Sequence, residues 1–248
     1  MRAICVLLIS ACLGIPANSF ADTVVGFDGG DNGGFSGNAF FEATGGNPGG
    51  NAHHFLQAFF PTLRTGALGE PANNDFLGDF SAFDEVIFGL DLRTESLTST
   101  TGNPIAREIG IMLIDRDIQG PNGSSGVYTT LGVMNGFATP TWETLSVTID
   151  DPTSTTLPSG WIGFGDEDPN SFEPILPAGA AFATVLAGVD EFRITGAVPG
   201  FFFGFANFDV RIDNVRVSTT AIPEPSAGML LGLVAIGIGA ARRRARSA

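Results

Sequence analysis

Oxygen ligands are the side chains best placed to do chemistry in this sequence. Asp115-x-Asp117-x-Gln119-Gly120 has the alternating spacing of the first half of a calcium loop. Its twelfth position is Gly126, so the bidentate glutamate of an EF-hand is missing and only a looser hard-oxygen site is on offer. Asp166, Glu167 and Asp168 crowd three carboxylates into one turn, which is unfavourable unless water or a shared cation offsets the repulsion. Solvated acidic turns are the plainer alternative at both places. Sugar recognition calls for aromatic platforms with a polar edge, and Trp142, Trp161 and Tyr128 are the residues of that kind. Trp161 follows Pro158-Ser159-Gly160 and is expected at a loop, whereas Trp142 opens a strand and is expected to anchor the core.

Catalytic groups are scarce. From Asp22 onward there is no cysteine and no lysine, which removes thiolate and Schiff-base chemistry. The two histidines are adjacent, His53-His54, and strand neighbours point to opposite faces, so one ring is expected to pack and the other to face out. No G-x-S-x-G elbow is present. A glycosidase needs two carboxylates facing each other across a cleft, which is a matter of tertiary placement. The expectation is a non-enzymatic protein; a secreted polysaccharide-active hydrolase is the alternative.

Short strands must position these residues. Glycine is abundant (34 of 248 residues) and phenylalanine unusually so (22), a bias against long helices and toward pleated, half-buried surfaces. Strands are expected at 23–27, 38–42, 53–59, 85–94, 108–115, 127–133, 143–149, 161–164, 189–194 and 208–217. In the last, Phe208, Val210 and Ile212 alternate with Asp209 and Arg211; the parity then slips by one at Asp213-Asn214, which predicts a bulge or bend. The fold expected over 22–217 is all-β, an antiparallel jelly-roll-like β-sandwich. Phe201-Phe202-Phe203-Gly204-Phe205 is expected to be a buried strand rather than an exposed self-association patch.

The chain ends are of another kind. Residues 1–21 have an arginine, an apolar run and a small-x-small site at Ser19-Phe20-Ala21, the pattern of a secretory signal peptide. Ile9-Ser10-Ala11-Cys12 offers the competing lipobox reading, with a lipidated Cys12. Residues 218–222 read as a linker and 223–248 as a tail. In the tail, Ala227–Ala241 would reach about 22 Å as a helix, short of a hydrocarbon core of about 30 Å. The arginines behind it favour the cytoplasmic side. Between the two ends, 7 arginines face 25 carboxylates, a net of −18. Such a surface repels nucleic acid and attracts cations.

Pro223-Glu224-Pro225-Ser226, the apolar run and Arg242, Arg243 and Arg244 closely resemble the PEP-CTERM sorting signal of exported bacterial proteins. The resemblance implies a Gram-negative host and processing by an exosortase. It further implies transient residence in the inner membrane, then the cell surface or an extracellular matrix of exopolysaccharide or biofilm. Gly45–Gly50, Phe76–Thr94, Trp142–Asp150 and Val185–Val217 look like successive pieces of the laminin B (domain IV) module, which implies a non-catalytic sandwich. Asp213 in Ile212-Asp213-Asn214-Val215 is similar to the aspartate near the end of the last strand in carbohydrate-binding jelly rolls, where structural Ca²⁺ is often held. Calcium and exopolysaccharide are thus the ligands implied. A purely structural matrix protein without ligand is the remaining alternative.

Overall fold

The computed structural model of the chain describes residues 20–221; the expected signal peptide, Pro-Glu-Pro motif, apolar run and arginine cluster lie outside the described residues. Among the described residues no helix is long and apolar enough to cross a membrane. Phe20–Thr220 forms one compact unit built almost entirely of strands. In chain order these are β1 (Phe20–Val25), β2 (Ser36–Gly37), β3 (Phe40–Glu42), β4 (Asn51–Ala58) and β5 (Thr62–Thr65). There follow β6 (Phe83–Ser99), β7 (Ala106–Gly120), β8 (Gly123–Asn135), β9 (Glu143–Ile149) and β10 (Trp161–Phe164). The last are β11 (Asp166–Glu167), β12 (Pro174–Ile175), β13 (Glu191–Thr195) and β14 (Ala206–Ala221), with one short helix, α1 (Phe182–Leu186), ahead of β13.

Two antiparallel six-stranded sheets make the sandwich. The first runs β3-β4-β14-β6-β9 with β1 also on β14, and the second runs β10-β8-β7-β13-β5-β2. Strands β11 and β12 form a separate hairpin. The core lies between the sheets. The first contributes Phe88, Leu90, Val210 and Ile212; the second contributes Ile111, Leu113, Phe192 and Ile194. Phenylalanine fills it: Phe192 stacks on Phe88 at 5.2 Å and meets Phe76 at 5.2 Å, and Phe35 stands edge-on to Phe76 at 5.3 Å. Each buried ring contributes about 2–3 kcal/mol of transfer free energy, which suits a chain without disulfides in this region.

The parity slip in β14 is a physical bend. Ala206–Ile212 pairs with β4, and Val215–Thr220 pairs with β1. Between them Asn214 adopts φ +47°, a left-handed conformation that asparagine tolerates. The reversed parity keeps Val215 and Val217 inside on the far side of the bend. Strand β14 continues through Ser218–Thr220, which the sequence presents as a linker. Asp22 and Ala21 pair with Ser218 and Thr219, and this ladder holds the polar stretch in the sheet. At the same end of the pair, β1 starts at Phe20 opposite Thr220, ahead of the expected cleavage site.

Candidate functional site

The outer face of the second sheet carries an open cleft of about 430 Å³. Strand pairing puts the outward residues of neighbouring strands side by side: Arg193 opposite Met112, Glu191 opposite Ile114, Tyr128 opposite Met112, and Ile162 opposite Tyr128. One half of this face is apolar, a cluster of Met112, Ile114 and Tyr128 with Ile162 and Phe164 against it. The other half is charged. Glu191, nearly buried, receives Arg116 on Oε2 at 2.7 Å and Arg193 on Oε1 at 2.6 Å. Arg116 is further fixed by donating to the carbonyl of Gly66 at 2.8 Å. The β11–β12 hairpin walls the cleft with Asp166, Glu167 and Phe172, and Asn122 completes the rim. Apolar floor, planar polar side chains and an aromatic edge suit a hydroxyl-rich chain ligand better than a small apolar one.

The aromatic residues singled out for sugar contact are placed otherwise. Trp161 is only 8% exposed and stands edge-on to Phe182 of α1 at 5.1 Å, inside the core. It begins β10 on the inward parity, opposite Thr129, so it is not a loop platform. Tyr128 is buried within the outer-face cluster, and its hydroxyl lies 3.4 Å from that of Thr130. Trp142 sits half-buried just ahead of β9, outside the core it was expected to anchor. Phe164 and Phe172 line the cleft instead, and neither carries the polar edge by which a sugar platform is recognisable in sequence.

The expected calcium ligands fall in three separate places. Asp115 is buried where β7 bulges against β8, and its Oδ1 accepts the backbone N–H groups of Asp117 (2.8 Å) and Ile118 (3.3 Å). Burial, joined by the charges of Asp190 and Asp117, raises its pKa despite those two bonds. Asp117 itself is exposed. In the hairpin, Asp166 accepts the N–H of Glu167, and Asp168 accepts those of Asn170 (2.8 Å) and Ser171 (3.0 Å). These carboxylates cap turns, each on its own backbone. At both turns these carboxylate oxygens are engaged by nearby backbone N–H groups. Among the described residues no group of three or more His, Cys, Asp or Glu side chains is arranged to hold a metal ion.

Asp213 differs. It is fully buried at the β14 bend, where Oδ2 accepts the N–H of Asn47 at 2.5 Å and Oδ1 that of Asn214 at 2.7 Å. Burial raises its pKa, and the charges of Asp91 and Asp28 add to the rise. Oxygens of Asn214, Asp213 and Asp28 all come within 3.6–3.8 Å of the position a Cβ would take on Gly26. The Gly45–Gly50 loop closes over them. A Cβ on Gly46 would lie 2.6 Å from Asp213 Oδ2, and one on Gly49 1.9 Å from Asp28 Oδ1, so side chains are excluded there. Asp91 completes the cluster, accepting from Asn47 (3.0 Å), Asn214 (2.9 Å), Thr144 (2.8 Å) and Arg216 (3.3 Å). Burial raises the Asp91 pKa, but these donors outweigh it and the net shift is downward.

The histidines divide as their adjacency on a strand requires. His53 faces out between Glu42 and Asp209, each 2.8 Å from a ring nitrogen. His54 is fully buried with Nδ1 3.0 Å from Asn38 Oδ1.

Residues 221–244 match the family model described as the PEP-CTERM protein-sorting motif. That span includes Pro223, Glu224, Pro225 and Arg242–Arg244. The molecule is thus a β-sandwich bearing the sorting motif of exported proteins that are handled by exosortase and sorted to the cell surface. No curated protein matches the chain. Among solved structures, one titled "Structural analysis of an exo-beta-agarase" matches at 12% identity and a TM-score of 0.45, over 82% of this chain and 26% of that one. The chain spans about a quarter of that protein's length, and its agarase activity is stated of that protein alone.

Proposed function

We propose that this is a non-enzymatic cell-surface or extracellular-matrix protein that associates with exopolysaccharide or biofilm material through the cleft on its second sheet. One observation carries the reading: Arg116, Glu191, Arg193 and Asn122 stand beside Phe164 and Phe172 in an open cleft of about 430 Å³. Fixed guanidinium and carboxylate groups hydrogen-bond sugar hydroxyls, and aromatic rings cover the apolar faces of sugars. The hydrolase alternative has less support, because every carboxylate lining the cleft is engaged by a donor. Glu191 is held by two guanidiniums, Asp166 by the N–H of Glu167, and Glu167 by Asn122 at 3.4 Å. A signal peptide at 1–21, the transient membrane run, the laminin B-like jelly-roll reading and a Ca²⁺ at Asp213 and Asp28 belong to the same proposal. The Asp213 cluster supports the last, since the buried Asp213 carboxylate, the exposed Asp28 carboxylate and the Asn214 amide oxygen are hard ligands grouped beside Gly26.

The test is electrophoresis of the exported protein through gels containing the host's own exopolysaccharide. Retardation that is lost in Arg193→Ala supports the cleft reading. Free migration of the wild type would sink it in favour of a ligand-free matrix protein, and release of reducing sugar would favour the hydrolase. For the tail, mass spectrometry of the exported protein should find the segment Arg242–Ala248 removed; its recovery intact refutes processing.

A further inference from the structure

We propose that one end of the sandwich is a self-association surface, on which a second copy of this chain docks through exposed phenylalanines. This surface adjoins the cleft, whose rim includes Pro199 and Gly200, but it rests on other observations. Phe59 follows β4, Phe137 follows β8, and Phe201, Phe202 and Phe205 precede β14. Register places all three loops at the same end. Ala58 pairs with Ala206, Asn135 pairs with Ala106, and Asn207 donates to the carbonyl of Ser99 at the end of β6. The five rings are exposed by 39%, 70%, 63%, 73% and 54% respectively. Three of them form one stack: Phe59 lies on Phe205 at 4.0 Å and meets Phe202 at 5.1 Å. Alongside, Phe201 meets Phe203 at 4.5 Å, and Arg107 covers the Phe203 ring at 5.1 Å. The sequence reading of this stretch as a buried strand is therefore corrected. Residues 201–205 form a loop, because Gly200 and Gly204 at φ +75° and +77° break the extended run before β14 begins.

Charge and area name the occupant. The segments 57–62, 97–106, 134–142 and 196–207, which make this end, contain no Asp, Glu, Lys or Arg. The opposite end carries Asp75, Asp79, Asp84, Glu85, Asp150 and Asp151 in its turns and strand starts. Two copies of a domain with a net of −18 repel each other overall, and this end, whose loops carry no carboxylate and are bordered by Arg107 over Phe203, is where they can meet. The five rings expose on the order of 600 Å², taking about 200 Å² for a whole phenylalanine. Two copies face to face would bury about 1,200 Å², the lower edge of specific interfaces, which means a weak, reversible pairing. The geometry also orients the pair. The chain leaves the sandwich at Ala221, at the other end of β14 and about 50 Å from the cluster at about 3.3 Å per residue. A two-fold, end-to-end pair therefore has its two chain exits pointing apart.

Sedimentation velocity of the exported protein over a wide concentration range, at low and high salt, tests this. Reversible association is expected, tightening with salt as self-repulsion is screened. The double variant Phe201→Ser/Phe202→Ser should weaken it at least about tenfold. Leu68→Ser, an exposed residue at the other end, should leave it unchanged. A wild type that stays monomeric throughout overturns the proposal, as does association indifferent to the double variant. Wild type that floats with neutral phosphatidylcholine vesicles yet stays monomeric without them also overturns it. Residues 22–248 contain no cysteine, so a second readout does not depend on how the double variant folds. Under mild oxidation, Phe202→Cys should give a disulfide-linked dimer and Leu68→Cys should not; equal cross-linking of the two overturns the proposal.

Discussion

Asp213 accepts the backbone N–H of Asn47 at 2.5 Å across 166 residues of chain, tying the glycine loop to the bend in the last strand. Removing the acceptor orphans two amides, those of Asn47 and Asn214. Asp213→Ala should therefore cost about 1–3 kcal/mol, and Asp213→Asn less, since it keeps an oxygen and relieves the repulsion from Asp28 and Asp91. If Ca²⁺ sits between Asp213 and Asp28, it raises the melting temperature of the wild type, chelator reverses the gain, and both variants lose it. A wild-type melt blind to calcium and chelator would leave the cluster without a metal role.

The Glu191 rosette makes a second, independent prediction. Glu191→Gln keeps the shape but leaves two guanidiniums facing a neutral amide. Stability should fall by about 2 kcal/mol, because a charge-assisted pair has been replaced by neutral contacts. Urea unfolding measures this. The same variant should weaken retardation by exopolysaccharide, whereas Glu70→Gln, on a neighbouring ion pair with Arg64, should not.

His54 sets a pH limb. Burial keeps the ring neutral and lowers its pKa to about 3. Its unfolded value is near 6.5, so the contribution to stability is complete above about pH 6.5 and is lost as pH falls toward 3. A shift of this size is worth about 5 kcal/mol when fully developed. Unfolding midpoints in urea should decline from pH 6.5 to 4 in the wild type and decline less in His54→Leu. Identical slopes would count against this origin. Protonation of Asp91 adds a separate loss lower down: its pKa is depressed, so its contribution is present above the usual aspartate range and disappears below it.

The two tryptophans should behave oppositely. Trp161→Ala opens a cavity in the core beside Phe182 and should cost about 3–5 kcal/mol. Trp142→Ala, half-buried outside the core, should cost about 1 kcal/mol or less. Thermal melts of both variants decide it; equal losses would contradict the burial described.

Much of this was legible locally. Alternation in 143–149 and 161–164 gave strands with those ends, and the parity slip at Asp213-Asn214 gave the bend, because side-chain period is a property of a single strand. The opposite faces of His53 and His54 follow from the same rule. Strand β5 (Thr62–Thr65) and the β11–β12 hairpin were not visible, being too short to establish a period. The cleft was not visible either, since Glu191 and Arg116 are 75 residues apart and meet only through the pairing of β13 with β7.

The sequence by itself determined the strand-rich chain, the acidic surface and the tail whose residues match a sorting motif. Those properties reside in composition, period and contiguous order. Only the tertiary structure decided which side of each strand is covered. Parity groups Tyr128 with Met112 and Trp161 with Thr129, yet does not say that both groups end up buried, one under loops and one in the core. Nor does it say that the phenylalanines of 201–205 stay in water. Burial depends on what packs on a surface, and that is set by partners far away in the chain.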